Sequence, residues 1–239
     1  MSFIDEIKNR AKEDIKKIVL PESEDDRTLK ATSEVIKQKF ADIILIGNKE
    51  KILRRAKELD LSNLEEAEII DPVISDKYNE FVEKFYELRK NKGITIEKSK
   101  EYMLDNIYFG MMMVKQGYAD GLVSGAVHST SDTLRPALQI LKTAPGTKLV
   151  SAFFMMIVPN CEFGENGVFL FSDSGLKENP DSEALSEIAI SSSKSFELLV
   201  GKEPKIAMLS YSSHGSAKSD LTEKVINATN LEKKKLQNC

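Results

Sequence analysis

Short aliphatic runs alternate with longer charged segments along the first half of the chain. Four such runs end at turn-forming residues: KIVL (17–20), ADIILIG (41–47), AEIID (67–71) and ADGLVSG (119–125). Apolar runs of this length are typical of strands that are buried on both faces of a sheet. Helices are predicted between them, at 25–39, 48–59, 75–91 and 95–115. The alternation therefore predicts parallel strands joined by helical crossovers, an α/β fold.

The pattern changes after Pro145-Gly146. Two long neighbouring strands, 149–159 and 166–173, are predicted to form a hairpin. A helix is then predicted from Pro180, with Asn179 as its cap because proline is common at the first helical position. A further strand at PKIAMLSYS (204–212) and a last helix from Ser219 complete the prediction. We expect two domains, residues 1–146 and 147–239.

The last predicted helix carries apolar residues at Val225, Ile226 and Leu231. A following element would be needed to cover them, because a helix of a globular protein buries its apolar face against another element. We therefore expect the C-terminal part of the second domain to be missing from this chain.

Charge and motifs exclude several classes of protein. Lys plus Arg number 34 and Asp plus Glu 38, a net charge of -4 that offers no general attraction to nucleic acid. Two cysteines, no signal-peptide-like N-terminus and no membrane-spanning apolar run indicate a cytoplasmic protein. No GxGxxG, CxxC or His-rich cluster supports a nicotinamide or a metal site. An anionic ligand would have to be bound by a local site.

The segment GLVSGAVHSTSDTLRPALQIL (121–141) has the composition of such a site. It runs from a strand end into a helix start, where unpaired backbone N–H groups and the helix dipole favour anions. Arg135 adds a planar cation suited to phosphate oxygens. Hydroxyls are supplied by Ser129, Thr130, Ser131 and Thr133. The same residue types are ordinary helix N-caps, with Asp132 in that role, so pattern alone leaves a phosphate site and plain capping both open.

Four other features are weaker signals. Arg89 ends a charged helix, where arginine more often faces solvent or the helix dipole. His128 has no visible carboxylate partner, and Cys161 has the character of a small buried residue. The hydroxyl-rich junction at 210–219 resembles a phosphate-binding turn but lacks the P-loop spacing.

Five stretches resemble the phosphate acetyl/butyryltransferase family, and the flanking sequence favours its acetyl members. They are LPESEDDRTLKA (20–31), FYELRKNKGIT (85–95), 120–146, 151–175 and 196–219. The resemblance implies two α/β domains with a cleft between them, related to isocitrate and isopropylmalate dehydrogenases and assembled as a homodimer. It also implies reversible acetyl transfer between coenzyme A and phosphate, with coenzyme A as a substrate and no tightly bound cofactor.

The same resemblance implies the roles of individual residues. Arg135 and Arg89 would be catalytic, and acetyl phosphate or phosphate would bind at Ser129, Thr130, Ser131, Thr133 and Cys161. Family members continue for roughly a further third of their length, which carries the aspartate thought to deprotonate the thiol, so His128 is only a reserve base here. Three alternatives stay open: butyryl transfer, a non-catalytic fragment that keeps the phosphate pocket or a dimer surface, and a dehydrogenase of the related architecture.

Overall fold

The computed structural model describes residues 2–212 and 215–236. It contains two compact units, Met1–Lys142 and Thr143–Cys239. This division lies four residues before the boundary expected at Gly146. The last helix of the first unit ends at Ile140 with Leu141 as its C-cap, and the next residue, Lys142, turns the backbone with a positive φ of 67°.

The first unit is built on a four-stranded parallel sheet. Its strands are β1 (Lys17–Leu20), β2 (Asp42–Ile46), β3 (Glu68–Ile70) and β4 (Gly121–Leu122). They lie in the order β3-β2-β1-β4, and every neighbouring pair is parallel. All four strands predicted in this half of the chain are confirmed, and so is the α/β class.

Seven α-helices accompany this sheet among the described residues of the unit. They are α1 (Phe3–Glu13), α2 (Asp26–Gln38), α3 (Lys49–Glu58), α4 (Tyr78–Arg89), α5 (Ile96–Tyr102), α6 (Asn106–Lys115) and α7 (Thr130–Ile140). The single helix predicted over 95–115 was wrong. The Asp105 carboxylate accepts hydrogen bonds from the backbone N–H groups of Ile107 and Tyr108 and so starts a new helix.

Helix α6 lies against the sheet with its aromatic and methionine side chains in the main core. Phe109 and Met112 are fully buried there, with the Phe81 ring 5.0 Å from that of Phe109. Gly110 permits the contact, because a β-carbon at this position would lie 2.8 Å from Leu122 and 2.9 Å from Val19. The absence of a side chain thus sets how closely α6 approaches β1 and β4.

The second unit contains an antiparallel hairpin and two helices. The hairpin pairs β5 (Phe153–Ile157) with β6 (Val168–Ser172), as predicted, and α9 (Asp220–Leu236) packs on α8 (Ser182–Val200). The predicted start of α8 was wrong: Asp181 is its cap and accepts a 2.8 Å hydrogen bond from the Ala184 N–H. The side chain of Asn179 instead accepts a hydrogen bond from Lys224.

The strand predicted at PKIAMLSYS (204–212) does not form. A strand requires a neighbour to pair with its backbone groups, and no described strand pairs with residues 204–212. Leu209 is accordingly 85% exposed. In α9, Val225 and Leu231 are partly buried and Ile226 is 51% exposed. Within the described ranges, no helix is both long and apolar enough to cross a bilayer.

Candidate functional site

The candidate site lies beyond the carboxyl ends of β1 and β4. These strands are neighbours although β2 and β3 lie between them in sequence, so the connections after β1 and β4 leave toward opposite sides of the sheet. In open parallel sheets such a switch point forms a crevice in which ligands bind. The loop after β4 leads from this edge into α7, the helix to which the sequence assigned the phosphate site.

The loop is held by one buried carboxylate, that of Glu22. Oε2 accepts hydrogen bonds from the N–H groups of Gly125 (2.9 Å) and Ala126 (2.7 Å), and Oε1 from those of Val127 and His128 (both 2.8 Å). The His128 ring Nδ1 also lies 2.8 Å from Oε1. The Glu22 side chain is 3% exposed. Four consecutive amides therefore converge on an anion that belongs to the protein itself.

Arg27 also binds this loop, through the backbone carbonyl of Ala126. Its guanidinium forms a two-point ion pair with Asp25, with both N–O distances 2.9 Å, and donates a further hydrogen bond to the carbonyl of Ala126. The expectation that the amides of this loop are free for a ligand anion is thus wrong for Gly125–His128. Those donors are already used by Glu22.

Glu22 was not predicted as a site residue, and His128 is the hydrogen-bonding loop residue that its pattern favoured. Nothing in the spacing links Glu22 to a loop 103 residues later; the one available signal was a carboxylate directly after a buried strand. His128 is only a reserve base in the sequence analysis because no carboxylate partner is visible there. The structure supplies that partner, and the ring is 38% exposed on the solvent side.

The hydrogen bonds to Glu22 change its acidity. Burial alone would raise the pKa of this carboxyl group, but the N–H groups of His128, Val127 and Ala126 and the His128 ring outweigh burial and lower the pKa to about 2. Hydrogen bonds that are made only to the charged form produce a shift of this sign.

This low pKa predicts an acid-sensitive contribution to stability. A carboxylate with an ordinary pKa of 4.5 and a folded-state pKa of about 2 stabilises the fold fully above pH 4.5 and loses that contribution as the pH falls toward 2. The full contribution is about 3 kcal/mol. Urea unfolding across that range should show the gap in unfolding free energy between wild type and Glu22→Gln shrinking with acid. A gap that stays constant would contradict the prediction.

Ser129 is the N-cap of α7. Its hydroxyl donates a 2.6 Å hydrogen bond to the Asp132 carboxylate, accepts one from the Asp132 N–H and lies 2.9 Å from the Ser131 hydroxyl. The hydrogen bond from Ser129 also lowers the pKa of Asp132. The capping interpretation therefore applies to Ser129 and Asp132. Thr130 and Ser131 remain exposed on the first turn, at the positive end of the helix dipole.

Two arginines act on the same tyrosine, Tyr108 of α6. Burial, helped by Tyr102, raises the pKa of Tyr108 to about 12, although the charges of Arg135 and Arg89 act in the opposite direction. The Tyr108 hydroxyl donates a hydrogen bond to Gln139 of α7. Helices α4, α6 and α7 thus bring Arg89 and Arg135, far apart in sequence, to the same region.

Several polar atoms in this region lack partners. Three buried side-chain atoms near these helices form no hydrogen bond to residues 2–212 and 215–236: Nε of Arg89, Oγ of Ser124 and Oγ1 of Thr133. Such an atom costs about 1–3 kcal/mol unless a partner is supplied. Arg135 is exposed, and no described residue forms a hydrogen bond or ion pair with its guanidinium. The donors fit an anionic ligand, and the phosphate-binding roles of these residues stay predictions.

The other candidates lie in the second unit. Cys161 is half-buried, its Sγ lies 3.9 Å from the Phe163 carbonyl, and its role also stays a prediction. In the 210–219 junction, Ser219 and Thr222 exchange hydrogen bonds as a helix cap, while residues 213–214 lie outside the described residues. No group of His, Cys, Asp or Glu in the described part of the chain is arranged to hold a metal ion.

Comparison with known proteins gives consistent matches. A family model described as "Phosphate acetyl/butaryl transferase" matches residues 2–238. A phosphate acetyltransferase of Acetivibrio thermocellus is 60% identical over 235 residues, which are 98% of this chain and 70% of the relative. The structure is similar to a phosphotransacetylase (EutD) of Staphylococcus aureus, with a TM-score of 0.87 and 41% identity over 99% of this chain and 69% of the other. A phosphotransacetylase of Streptococcus pyogenes gives a TM-score of 0.89 and 34% identity, over 98% of this chain and 70% of the other.

Proposed function

The chain belongs to the phosphate acetyl/butaryl transferase family, and on that premise we propose that it transfers an acetyl group reversibly between coenzyme A and inorganic phosphate. Acetyl phosphate and coenzyme A give acetyl-CoA and phosphate. Relatives that are 49–60% identical are named phosphate acetyltransferases, which supports the acetyl over the butyryl reaction. We further propose a cytoplasmic homodimer that uses coenzyme A as a substrate and holds no tightly bound cofactor.

One observation supports the phosphate site above all others. The first turn of α7, with exposed hydroxyls on Thr130 and Ser131, begins at the switch point of the sheet, and Arg135 one turn later has no counter-charge bound to its guanidinium among the described residues. A helix N-terminus and a guanidinium together bind a phosphoryl group through oriented N–H donors and charge. The unpaired Nε of Arg89 and Oγ1 of Thr133 add further donors in the same helix layer.

The proposed chemistry is direct attack in a ternary complex. The sulfur of coenzyme A forms a bond to the acetyl carbon, and the bond from that carbon to the phosphate oxygen breaks with its electron pair moving to phosphate. The thiol must first lose its proton, because a thiol of pKa ~8.5 is mostly protonated at neutral pH. Arg135 and Arg89 would stabilise the charge that develops on the departing phosphate, and the α7 hydroxyls would orient the acyl phosphate.

An acyl-transfer assay tests this proposal. The purified protein is incubated with coenzyme A and either acetyl phosphate or butyryl phosphate, and thioester formation is followed by absorbance. We expect acetyl-CoA to form at the higher kcat/KM. A preference for butyryl phosphate would replace the acetyl assignment, and phosphate binding without thioester formation would support a binding fragment. Absence of both turnover and phosphate binding would refute the proposed function.

A further inference from the structure

We propose that Glu22 is the positioning residue of the phosphate site: its carboxylate shapes the loop Gly125–His128, and that loop sets where the first turn of α7 meets phosphate. This inference rests on the proposed function, because it assigns a role within that site. Glu22 itself would not touch the substrate. It would act through the backbone that leads into α7.

The hydrogen bonds show why the loop depends on a carboxylate. Both oxygens of Glu22 are used, and all five contacts to the loop are 2.7–2.9 Å long. A row of convergent backbone N–H groups is a concave anion site. Without an anion at its centre these donors would be buried and unpaired, or would turn outward to water.

The occupied loop also determines where a ligand anion can bind. Glu22 already accepts the hydrogen bonds of the Gly125–His128 amides. A phosphate group would therefore bind to the next donors along the chain, the first turn of α7 and Arg135. The loop ends at His128, and the N-cap Ser129 follows directly. A change in the loop is therefore transmitted to the start of the helix across a single peptide bond.

Glu22 also orients the ring of His128. A carboxylate can only accept, so the imidazole Nδ1 must be the donor in this pair and the neutral ring keeps its lone pair on Nε2. The ring is thereby held in one tautomer next to the start of α7. The Glu22 carboxylate orders both the loop amides and the His128 ring, so removing it should disorder both together.

Glu22→Gln is the sharpest test, because it preserves size but replaces one acceptor oxygen by an NH₂ donor. That NH₂ group would face loop N–H groups that are themselves donors. We expect faster hydrogen exchange at the amides of Gly125–His128. We also expect phosphate to bind about 10- to 100-fold more weakly, which corresponds to losing about one charge-assisted hydrogen bond. KM for acetyl phosphate should rise more than kcat falls.

Two further variants complete the test. Glu22→Ala leaves the amide site empty, and added formate should restore exchange protection and phosphate affinity, whereas Glu22→Gln should not respond to formate. Glu24→Gln is the matched control, because Glu24 is exposed and makes no hydrogen bond to the loop; we expect it to behave as wild type.

Several results would overturn the proposal. Normal phosphate affinity in Glu22→Gln would exclude the positioning role while leaving the proposed function intact. Failure of both Glu22 variants to unfold cooperatively, with and without formate, would assign Glu22 to stability alone. Wild-type protein that binds no phosphate would instead refute the proposed function. Failure of the positioning role is thus seen in the Glu22→Gln variant, and failure of the proposed function is seen in the wild type.

Discussion

Replacing Arg135 by alanine is expected to lower kcat/KM for acetyl phosphate by about 100- to 1,000-fold, the usual cost of removing one donor aimed at charge that develops in a transition state. The guanidinium is exposed, and no described residue neutralises it by an ion pair. Because the side chain is exposed, its removal should change the unfolding free energy only slightly. Steady-state kinetics with varied acetyl phosphate, together with phosphate titration by calorimetry, measure the effect.

Two controls separate charge from geometry at this position. Arg135→Lys keeps the charge but loses the planar fork, so we expect an intermediate loss. Arg54→Ala removes another exposed arginine, on α3, and should leave the rate unchanged. If Arg135→Ala retained wild-type kcat/KM, the phosphate site would have to lie elsewhere.

Replacing Phe109 by alanine is expected to reduce the unfolding free energy by about 3–5 kcal/mol, the range for removing a buried aromatic ring and leaving a cavity. Phe109 is 0% exposed and lies at the centre of the cluster between α6, α4 and the sheet. Because domains are stable by only about 5–15 kcal/mol, this change should remove a large share of the stability of the first unit. Denaturant unfolding followed by circular dichroism measures it.

The control for Phe109 is a large apolar residue outside the core. Ile74 is 82% exposed in the same unit, and we expect Ile74→Ala to change the unfolding free energy by less than about 0.5 kcal/mol. Similar losses in both variants would mean that the side chains around α6 are not packed as the structure describes.

The parallel sheet could be predicted because its signal is local. Each of β1–β4 is an aliphatic run that ends at a turn, and this pattern is present in any window of a few residues. The strand predicted at 204–212 has the same local appearance but finds no partner among the described strands. Pairing is a property of the whole fold, so local pattern could not distinguish the two cases.

The site was only partly predictable for a related reason. The hydroxyls and Arg135 lie in one stretch of sequence, so their chemistry is visible there. The contact between Glu22 and the loop spans more than a hundred residues and arises only when β1 and β4 become neighbours. The break at Asp105, in contrast, is a local capping signal that the sequence analysis missed within an otherwise helical pattern.

The close approach of α6 to the sheet at Gly110 bears on protein engineering. Libraries that vary the core around Tyr108 would naturally include its neighbours on α6. Even a methyl group at position 110 would meet Val19 and Leu122 at under 3 Å. Such a library should keep codon 110 fixed, because any larger residue there would push α6 away from β1 and β4.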